Sequence, residues 1–572
     1  MKYKIILLLI LVFAFTVRMY GIDWDQGNHL HPDERAITMF TMPLKFPTSL
    51  NNFLSAQSSW NPHFFAYGNF PLYFLKLTAS TLAILDHSFL FYEKINLVGR
   101  MISVFADIGT LVLLYFLAKK LFNQKVALLT SFFYAISVFS IQAAHFYAVD
   151  ALLTFFIILT LFQLIRLYEN LSFKNSMLTG IFFGLSLATK TSALALVAST
   201  GAALTSDFIL IFIKNFHRPK NWLSHFPKFL ENLFIKGAVV GMFAFITFLS
   251  LEPYALLDFK EFWKQTLEQS QMTHNAFIFP YTLQYVGKTP YLYEVKNIFL
   301  WGQGPILATI SFLGIFYIFI HIVRKNKDKK WAQEFILLFF FLTYFAVVGK
   351  FAVGWMRYML PIYPLLCLFG AFLIYKIDQV LILKIRSHFV LSIIYFFSLI
   401  LVLIWPISFI NIYTRPNTRV TASDWINKNI PNYSTIATEH WDDKLPLNWA
   451  GTNYKMLELP IYEMENPLKN DQIYKTIQES TYVIIASNRL YVPLQRIANN
   501  CQRWNVPSER CPKNANTYYQ KLFDGELGFK KIAEFSVYPK IPFLNITIDD
   551  QSADESFTVY DHPKILIFKK NG

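Results

Sequence analysis

Residues 2–37 read KYKIILLLILVFAFTVRMYGIDWDQGNHLHPDERAI. Lys2 and Lys4 precede the apolar run Ile5–Val17, and a polar segment with histidines and adjacent carboxylates follows it. A cleaved signal peptide would end in small residues. Arg18 stands there instead, which favours an uncleaved membrane span over a signal peptide. The stretch therefore predicts a helix that crosses a membrane and is followed by a polar segment at its far face.

The composition indicates that further spans follow this one. Of the 572 residues, 54% are hydrophobic and 16% are charged, and the mean hydropathy is +0.35. A soluble enzyme carries about 25% charged residues, and disordered, collagen-like or coiled-coil chains are more polar or more repetitive. A helix needs about 20 apolar residues to cross a bilayer. Ten more runs approach that length and predict a polytopic α-helical membrane protein with about 11 transmembrane helices: 97–118, 126–144, 150–168, 176–189, 191–213, 234–252, 303–323, 332–349, 357–376 and 388–411. The stretch 176–213 is expected to break near Lys190.

The net charge of +15 lies almost wholly in the apolar part of the chain. A nucleic-acid-binding protein would carry it on a polar domain, so we expect no nucleic-acid partner. The basic residues occupy short loops, as in membrane proteins whose positive loops face the cytoplasm: Lys119–Lys125, Arg166–Lys174, Lys214–Lys236, Arg324–Lys330 and Lys376–Arg386. This pattern predicts a multi-pass protein of the cytoplasmic membrane with its N-terminus in the cytoplasm.

Two domains are expected. Residues 1–411 form a transmembrane domain that includes interfacial helices in the first outer loop, 21–96. Residues 412–572 form a small extracytoplasmic α/β domain, because strand-like runs such as TYVIIAS and KILIFKK alternate there with helix-start signals. Cys501 and Cys511 lie in this tail and either pair or remain free.

The segment HLHPDERAI carries the first candidate site. A proline followed by Asp33 and Glu34 makes a good helix N-terminus, which is the structural interpretation. Carboxylates flanked by His31 also suit a general base or part of a metal site. Asp150, in the turn AAHFYAVDALL, is either a helix cap or a second carboxylate at the same membrane face.

Two cations are candidates for binding an anionic group. Lys190 lies in the apolar stretch GLSLATKTSALAL, where an ionisable group is costly and usually functional. Arg357, in WMRYMLPIYP, has the fork geometry that suits phosphate. The alternatives are a lysine that snorkels to the interface and an arginine that faces headgroups. Arg100 and Asp107 lie on one helix face and pair with each other or with neighbours.

The chain resembles glycosyltransferase family 39, of the GT-C superfamily, which includes protein O-mannosyltransferases and the lipid A aminoarabinose transferase. The matching features, in chain order, are HPDE after the first span, HFYAVD before the fourth, GLSLATK, RYMLPIYP and DWINKNIPNYSTIATEHWDDKLP. They extend over about the first 450 residues. The resemblance implies a GT-C-like fold, a polyprenyl-phosphate-linked sugar as donor and an active site at the outer membrane face.

The resemblance also implies roles for the candidate residues. Asp33 orients or deprotonates the acceptor with support from Glu34, and Asp150 takes the second acidic position. Lys190 and Arg357, by charge and predicted side, hold the donor phosphate. Candidate substrate contacts are His31, His145, Tyr291 and Asp442, the last through closure of Trp441–Asp443 over the site. As an alternative, Asp33, His31 and Asp150 bind a divalent metal ion.

The chemistry of such a transfer is consistent with these residues. It needs a base for the acceptor hydroxyl and cations for the leaving lipid phosphate, and single displacement would invert the anomeric centre. The acceptor is a protein, a lipid or a glycan. Competing interpretations are a transporter or flippase of a lipid-linked solute and an envelope scaffold. A transporter would place charged groups at the midplane of two related halves. Here most candidates gather at one face beside the soluble domain, which favours the enzyme.

Overall fold

The computed structural model describes residues 2–324, 328–385, 387–448, 451–541 and 544–571. Parts of two predicted basic loops, residues 325–327 and Arg386, lie outside the described residues. The first ten helices are α1 Lys2–Met19, α2 Pro32–Thr41, α3 Leu50–Phe53, α4 Phe70–Leu82, α5 Tyr92–Leu121, α6 Gln124–Ala135, α7 Val138–Ala144, α8 Val149–Glu169, α9 Phe173–Thr189 and α10 Leu196–Lys214. The rest of the helical part comprises α11 Pro219–Leu223, α12 Phe226–Glu231, α13 Gly237–Leu251, α14 Tyr254–Leu257, α15 Phe259–His274, α16 Leu292–Asn297, α17 Pro305–Arg324, α18 Lys329–Val348, α19 Tyr363–Lys384 and α20 His388–Ile410.

Long apolar helices form the body of the protein. Within the described ranges, eight helical stretches are long and apolar enough to cross a membrane, and a ninth results if α6 and α7, bent by 61°, form one span. Helical structure is found at all eleven predicted spans, but α1 and α9, of 18 and 17 residues, are not among the eight. The predicted polytopic helical fold is confirmed, and the count of eleven stays a prediction.

Three helices, α2–α4, occupy the predicted first outer loop between the long helices α1 and α5. Their apolar side chains form a core of their own with the start of α5, which includes Ile37, Leu72, Leu75 and Val98. The loop is therefore a packed layer that covers one end of the helical bundle. We refer to this end as the capped end.

The predicted break near Lys190 is present. Helix α9 ends at Thr189, Lys190 has an extended backbone, and a short 3₁₀ helix, Thr191–Ala195, leads into α10. Helix α9 is held close to α13 because small residues let helices approach closely. A Cβ on Gly184 would lie 2.6 Å from the carbonyl oxygen of Ala244. This packing fixes the position of the break at the capped end.

The C-terminal tail is a small α/β domain, as predicted. Its helices are α21 Thr418–Asn429, α22 Pro467–Glu479, α23 Tyr491–Ala498, α24 Lys513–Phe523 and α25 Glu555–Thr558. Its strands are β1 Thr435–Glu439, β2 Lys455–Leu459, β3 Tyr482–Ile485, β4 Phe529–Phe535, β5 Lys540–Ile541, β6 Ile546–Thr547 and β7 Ile565–Lys570. The main sheet has the order β2-β1-β3-β7-β4, in which β1 runs parallel to β2 and β3, and β7 runs antiparallel to β3 and β4. Cys501 and Cys511 form a disulfide.

Residues 550–562, here called the docking segment, tie this domain to the helical bundle. Asp561 accepts hydrogen bonds from the Tyr413 hydroxyl (2.8 Å) and the Gln142 amide (3.0 Å), which lie at the capped end. His562 lies between Asp561 (2.5 Å) and Asp550 (2.8 Å). Burial works to lower the pKa of His562, but the two carboxylates raise it to about 10. The segment is thus anchored by a buried, charged histidine.

Candidate active site

Two carboxylates and two cations alternate at the capped end of the bundle. Arg357 forms an ion pair with Asp33, and its Nε lies 3.9 Å from Asp150 Oδ2. Lys190 Nζ donates to Asp150 Oδ1 at 2.7 Å. The Lys190 ammonium also lies 4.5 Å from the centre of the Tyr358 ring, a cation–π contact. The structure therefore brings together four residues that were singled out along more than 300 residues of sequence.

Local structure positions Asp33 in the first turn of α2. His31 caps this helix by accepting the backbone N–H of Glu34 at 3.5 Å. Its Nδ1 lies 3.8 Å from Asp33 Oδ2. Burial, followed by the nearby Arg357 and Arg100, lowers the pKa of His31 well below its usual value. His31 is therefore a neutral cap beside Asp33, which agrees with the structural interpretation of this motif.

Glu34 points away from Asp33 into the protein. Its carboxylate accepts two hydrogen bonds from Arg100, at 2.6 and 2.9 Å, and one from the backbone N–H of Tyr147 at 2.9 Å. Arg100 also donates to Asp25 at 2.7 Å, and all three of these charged side chains are fully buried. Glu34 thereby fixes α2 to α5 and to the turn before α8. In this geometry its support of Asp33 is indirect.

A cavity of about 790 Å³ opens beside this cluster. Its polar end carries Lys190, Tyr67, Tyr358 and Glu252, and its apolar wall comes from α10 and α18, with Val197 and Val347 among the contributors. A larger cleft of about 1180 Å³ lies around the disulfide in the C-terminal domain and contains none of the predicted site residues. The smaller cavity is the relevant one because the charged cluster lies at its edge.

Two predicted substrate contacts, His145 and Tyr291, do not line this cavity. The ring nitrogens of fully buried His145 face the carbonyls of Ile141 and Tyr20, at 2.9 and 3.0 Å. Tyr291 donates its hydroxyl to the carbonyl of Ala346 at 3.0 Å and does not line the cavity. Both side chains thus make contacts within the protein, and their predicted roles as substrate contacts stay predictions.

Asp442, which was predicted to contact substrate through closure of Trp441–Asp443, has a buried side chain that pairs with Arg419 at 3.0 Å. Its contact with substrate stays a prediction. The neighbouring Asp443 reaches the helical bundle instead and pairs with Arg35 of α2 at 2.6 Å. Burial works to raise the pKa of Asp443, but Arg419 and Arg35 hold it below its usual value. The tail thus contacts the helix that carries Asp33 through Asp443.

Arg100 and Asp107 do not pair with each other. Arg100 binds Glu34 and Asp25, as described above, whereas Asp107 accepts from Arg18 Nε and from the Tyr134 hydroxyl, both at 2.5 Å. The sequence left both kinds of partner open, and the structure assigns each residue to a neighbouring helix. These buried pairs join α1 and α6 to α5.

The donor set does not fit the alternative of a divalent metal ion. Asp33 and Asp150 each face a cation, and Arg357 lies between them. Across the described ranges, no group of three His, Cys, Asp or Glu side chains is arranged to hold a metal ion. We therefore derive no step through a metal.

Sequence reasoning missed two residues that touch the site. The Tyr67 hydroxyl donates to Asp33 Oδ1 at 2.6 Å. The Tyr560 ring, from the docking segment, packs against His31 with ring centroids 4.2 Å apart. A tyrosine in an aromatic-rich chain gives no signal by itself, and both contacts span too many residues for a local pattern to reveal them.

Comparison with known proteins supports part of this description. Residues 83–227 match the family described as dolichyl-phosphate-mannose-protein mannosyltransferase. This match confirms the resemblance that was predicted from the motifs for a region that includes Asp150 and Lys190. No curated protein is significantly similar to the chain.

Two solved structures align with most of the chain. The oligosaccharyltransferase AglB of Archaeoglobus fulgidus, in complex with an inhibitory peptide and a dolichol-phosphate, aligns over 100% of this chain and 88% of its own, with 13% identity and a TM-score of 0.47. ArnT from Cupriavidus metallidurans, bound to undecaprenyl phosphate, aligns over 86% of this chain and 94% of its own, with 12% identity and a TM-score of 0.48.

Proposed function

We propose that the chain is an integral membrane glycosyltransferase that moves a sugar from a polyprenyl-phosphate carrier to an acceptor at the outer face of the cytoplasmic membrane. One observation carries the proposal: Asp33, Asp150, Lys190 and Arg357 form one charged cluster, and Lys190 of this cluster lines a cavity with an apolar wall. That combination suits a lipid with a phosphate head. The capped end and the C-terminal domain then lie on the extracytoplasmic side of the membrane, and the N-terminus lies in the cytoplasm.

The geometry suggests a direct displacement. Asp33 accepts the proton of the acceptor hydroxyl, whose oxygen attacks the anomeric carbon from the side opposite the phosphate. The bond between the sugar and the phosphate breaks, and the leaving polyprenyl phosphate keeps the electron pair. Lys190 and Arg357 stabilise the charge that grows on it. The product has an inverted anomeric centre.

The remaining contacts prepare these groups. Asp150 holds Lys190 at 2.7 Å, and Tyr67 orients Asp33 through a hydrogen bond of 2.6 Å. A donor phosphate competes with Asp33 for the guanidinium of Arg357. Binding of the donor thereby releases the carboxylate to act as a base, which couples proton abstraction to the presence of the donor.

The test starts with the carrier. Native mass spectrometry of protein extracted gently from its own membrane is expected to show bound polyprenyl phosphate. Wild-type protein and Asp33→Asn are then incubated with undecaprenyl-phosphate hexoses and native membranes as the acceptor source, and release of undecaprenyl phosphate is measured. Asp33→Asn is expected to bind the carrier and to lose about 100-fold or more in transfer, as expected when a general base is removed.

Two results would contradict the proposal. One is native spectra with bulk phospholipid only, even after undecaprenyl-phosphate hexoses are added. The other is Asp33→Asn that transfers sugar at the wild-type rate. If the protein is instead a flippase, Asp33→Asn leaves movement of the lipid-linked solute across vesicles intact and no transfer is seen with either protein.

A further inference from the structure

Glu252 is a buried carboxyl group that the proposed mechanism does not use. It follows α13 directly, is 2% exposed and lines the polar end of the 790 Å³ cavity. Unlike Asp33 and Asp150, it forms no ion pair with any residue in the described part of the chain. The backbone amide of Asn69 is the group that stabilises its charged form.

Such a group needs an explanation, because a buried carboxylate without a cation is costly. Burial raises the pKa of Glu252 well above its usual value. Burial without a cation thus favours the neutral acid, which has one O–H donor and a carbonyl acceptor. A neutral acid that faces a cavity is suited to alcohol groups, which also donate and accept hydrogen bonds.

The position of Glu252 relates it to the reacting groups. Residues 67–69 form a strip that runs from Asp33 to Glu252: the Tyr67 hydroxyl binds Asp33, and the Asn69 amide faces Glu252. Between them, the Gly68 amide donates to the carbonyl of Thr189 at 3.2 Å, directly before Lys190. A Cβ on Gly68 would lie 1.8 Å from the carbonyl oxygen of Ala188, so the strip lies tightly against the end of α9. The base, the phosphate-binding lysine and Glu252 are thus held around one rigid strip.

We propose that Glu252 hydrogen-bonds the hydroxyl groups of the carrier-linked sugar and determines which sugar the protein accepts. This inference rests on the proposed function. The phosphate at Lys190 places the attached sugar at the polar end of the cavity, where Gln269 and Ser270 of α15 also lie. The lipid tail and the sugar then contact different parts of the cavity. The tail contacts α10 and α18, and the sugar contacts Glu252 and α15.

The experiment compares affinities for bare undecaprenyl phosphate and for its mannosyl, glucosyl and galactosyl forms. The wild-type protein is expected to bind at least one sugar-bearing form more tightly than the bare carrier. Glu252→Ala is expected to lose on the order of 10-fold of that gain, since a buried partner is removed, and to bind the bare carrier as before. Glu252→Gln, whose amide still donates and accepts hydrogen bonds, is expected to keep most of the affinity gained from the sugar. Glu268→Ala, which removes an exposed carboxylate of α15, serves as the matched control.

The outcomes separate this inference from the proposed function. The inference is overturned if Glu252→Ala keeps the wild-type ratio between sugar-bearing and bare carrier, or if the wild-type protein binds the bare carrier but gains nothing from any of the three sugars. In both cases binding of the carrier leaves the proposed function in place. If neither bare nor sugar-bearing carrier binds to the wild-type protein, the proposed function fails and the inference fails with it. A loss of the gain in Glu252→Gln as large as in Glu252→Ala points to recognition of a charged group and also overturns it.

Discussion

Lys190 is a charged residue within an otherwise apolar stretch of the chain. Its ammonium is held by Asp150 at 2.7 Å and by the face of Tyr358, and the side chain is 12% exposed. An ammonium that keeps one open direction into a cavity can bind a phosphate without losing its carboxylate partner. The same pairing would also satisfy a purely structural lysine, so ligand affinity is the property that distinguishes the two roles.

We expect Lys190→Ala to weaken binding of undecaprenyl phosphate about 10- to 100-fold, the loss typical of a hydrogen bond to a charged group. Binding is measured with the purified protein in detergent or nanodiscs. Lys119→Ala removes an exposed lysine at the end of α5 and is expected to change nothing. Equal affinity of Lys190→Ala and wild-type protein would assign Lys190 a structural role.

Tyr67→Phe tests the positioning of Asp33. Removing the hydroxyl that donates to Asp33 at 2.6 Å is expected to lower kcat about 10-fold, because a hydrogen bond to a charged group is worth about 1.5–3 kcal/mol. The KM for the donor is expected to stay unchanged. Tyr433→Phe, at a tyrosine that is 75% exposed in the C-terminal domain, is the control. A parallel rise in KM would mean that Tyr67 binds the donor instead.

At this scale the sequence identified the charges of the site but not their neighbours. Asp33, Asp150, Lys190 and Arg357 stood out by their charge and by the motifs that contain them, and the structure places them together. Tyr67 and Glu252 gave no comparable signal: one is a tyrosine among many, and the other looks like an ordinary polar residue after a span. His145, in turn, stood out by its motif but serves to hold the turn before α8.

Among the elements, the close pair α9 and α13 decides where the site can form. Gly180 and Gly184 of α9 pack against backbone carbonyls of α13. A Cβ at these two positions would lie 2.5 and 2.6 Å from the carbonyl oxygens. Lys190 directly follows α9, and Glu252 directly follows α13. Two groups of the cavity are therefore positioned by a single helix contact.

Gly184→Val is expected to separate α9 from α13 and to destabilise the protein by about 1–3 kcal/mol, as in other overpacked cores. A lower apparent Tm and a broader size-exclusion profile would report this change. Gly241→Val is the matched control, since no atom lies within 4 Å of a Cβ at that position of α13. If both variants melt alike, the contact does not hold the pair together.

The long helices were largely predictable from the sequence, but whether each of them crosses the membrane was not. Length and hydropathy predict a helix wherever an apolar run approaches the bilayer thickness, and helical structure is found at each such run. Whether α1 and α9 cross a membrane depends on their tilt and on the helices packed against them, which the sequence of a single segment does not specify. The bend between α6 and α7 was not predicted either, because the run 126–144 contains no proline or glycine to mark it.

For the whole molecule, the main feature is that the C-terminal domain and the helical bundle share buried polar contacts. Asp443 pairs with Arg35, and the docking segment places Tyr560 against His31 and Asp561 against Gln142. The sequence predicted an α/β domain and closure of Trp441–Asp443 over the site, but not these particular contacts. Contacts between residues hundreds of positions apart come from the three-dimensional arrangement, and no local pattern predicts them.

The charged His562 makes this junction sensitive to pH. Its pKa is raised from the ordinary 6.5 to about 10 in the folded protein. The folded state therefore holds a proton that the unfolded state releases between these values, so stability falls as pH rises from about 6.5 to about 10. We expect the apparent Tm of the wild-type protein to fall across this window more steeply than that of His562→Gln.

Thermal melts at several pH values between 6.5 and 10 make this comparison, with the exposed His217→Gln as the control. His562→Gln should also melt at a lower temperature than wild-type protein at pH 6.5, because Asp550 and Asp561 lose their cation. Parallel curves for wild-type protein and His562→Gln would contradict the assignment of a charged histidine.

The order of strands in the main sheet has a consequence for biosynthesis. Strand β7 follows every other described strand in the chain, yet it lies between β3 and β4, and the docking segment that carries Tyr560 directly precedes it. During synthesis the helices can insert one after another, but until β7 is made the sheet has a gap between β3 and β4, and His31 packs against Phe146 without Tyr560. Completion of the sheet and the contact between Tyr560 and His31 therefore both wait until the docking segment and β7 have been made.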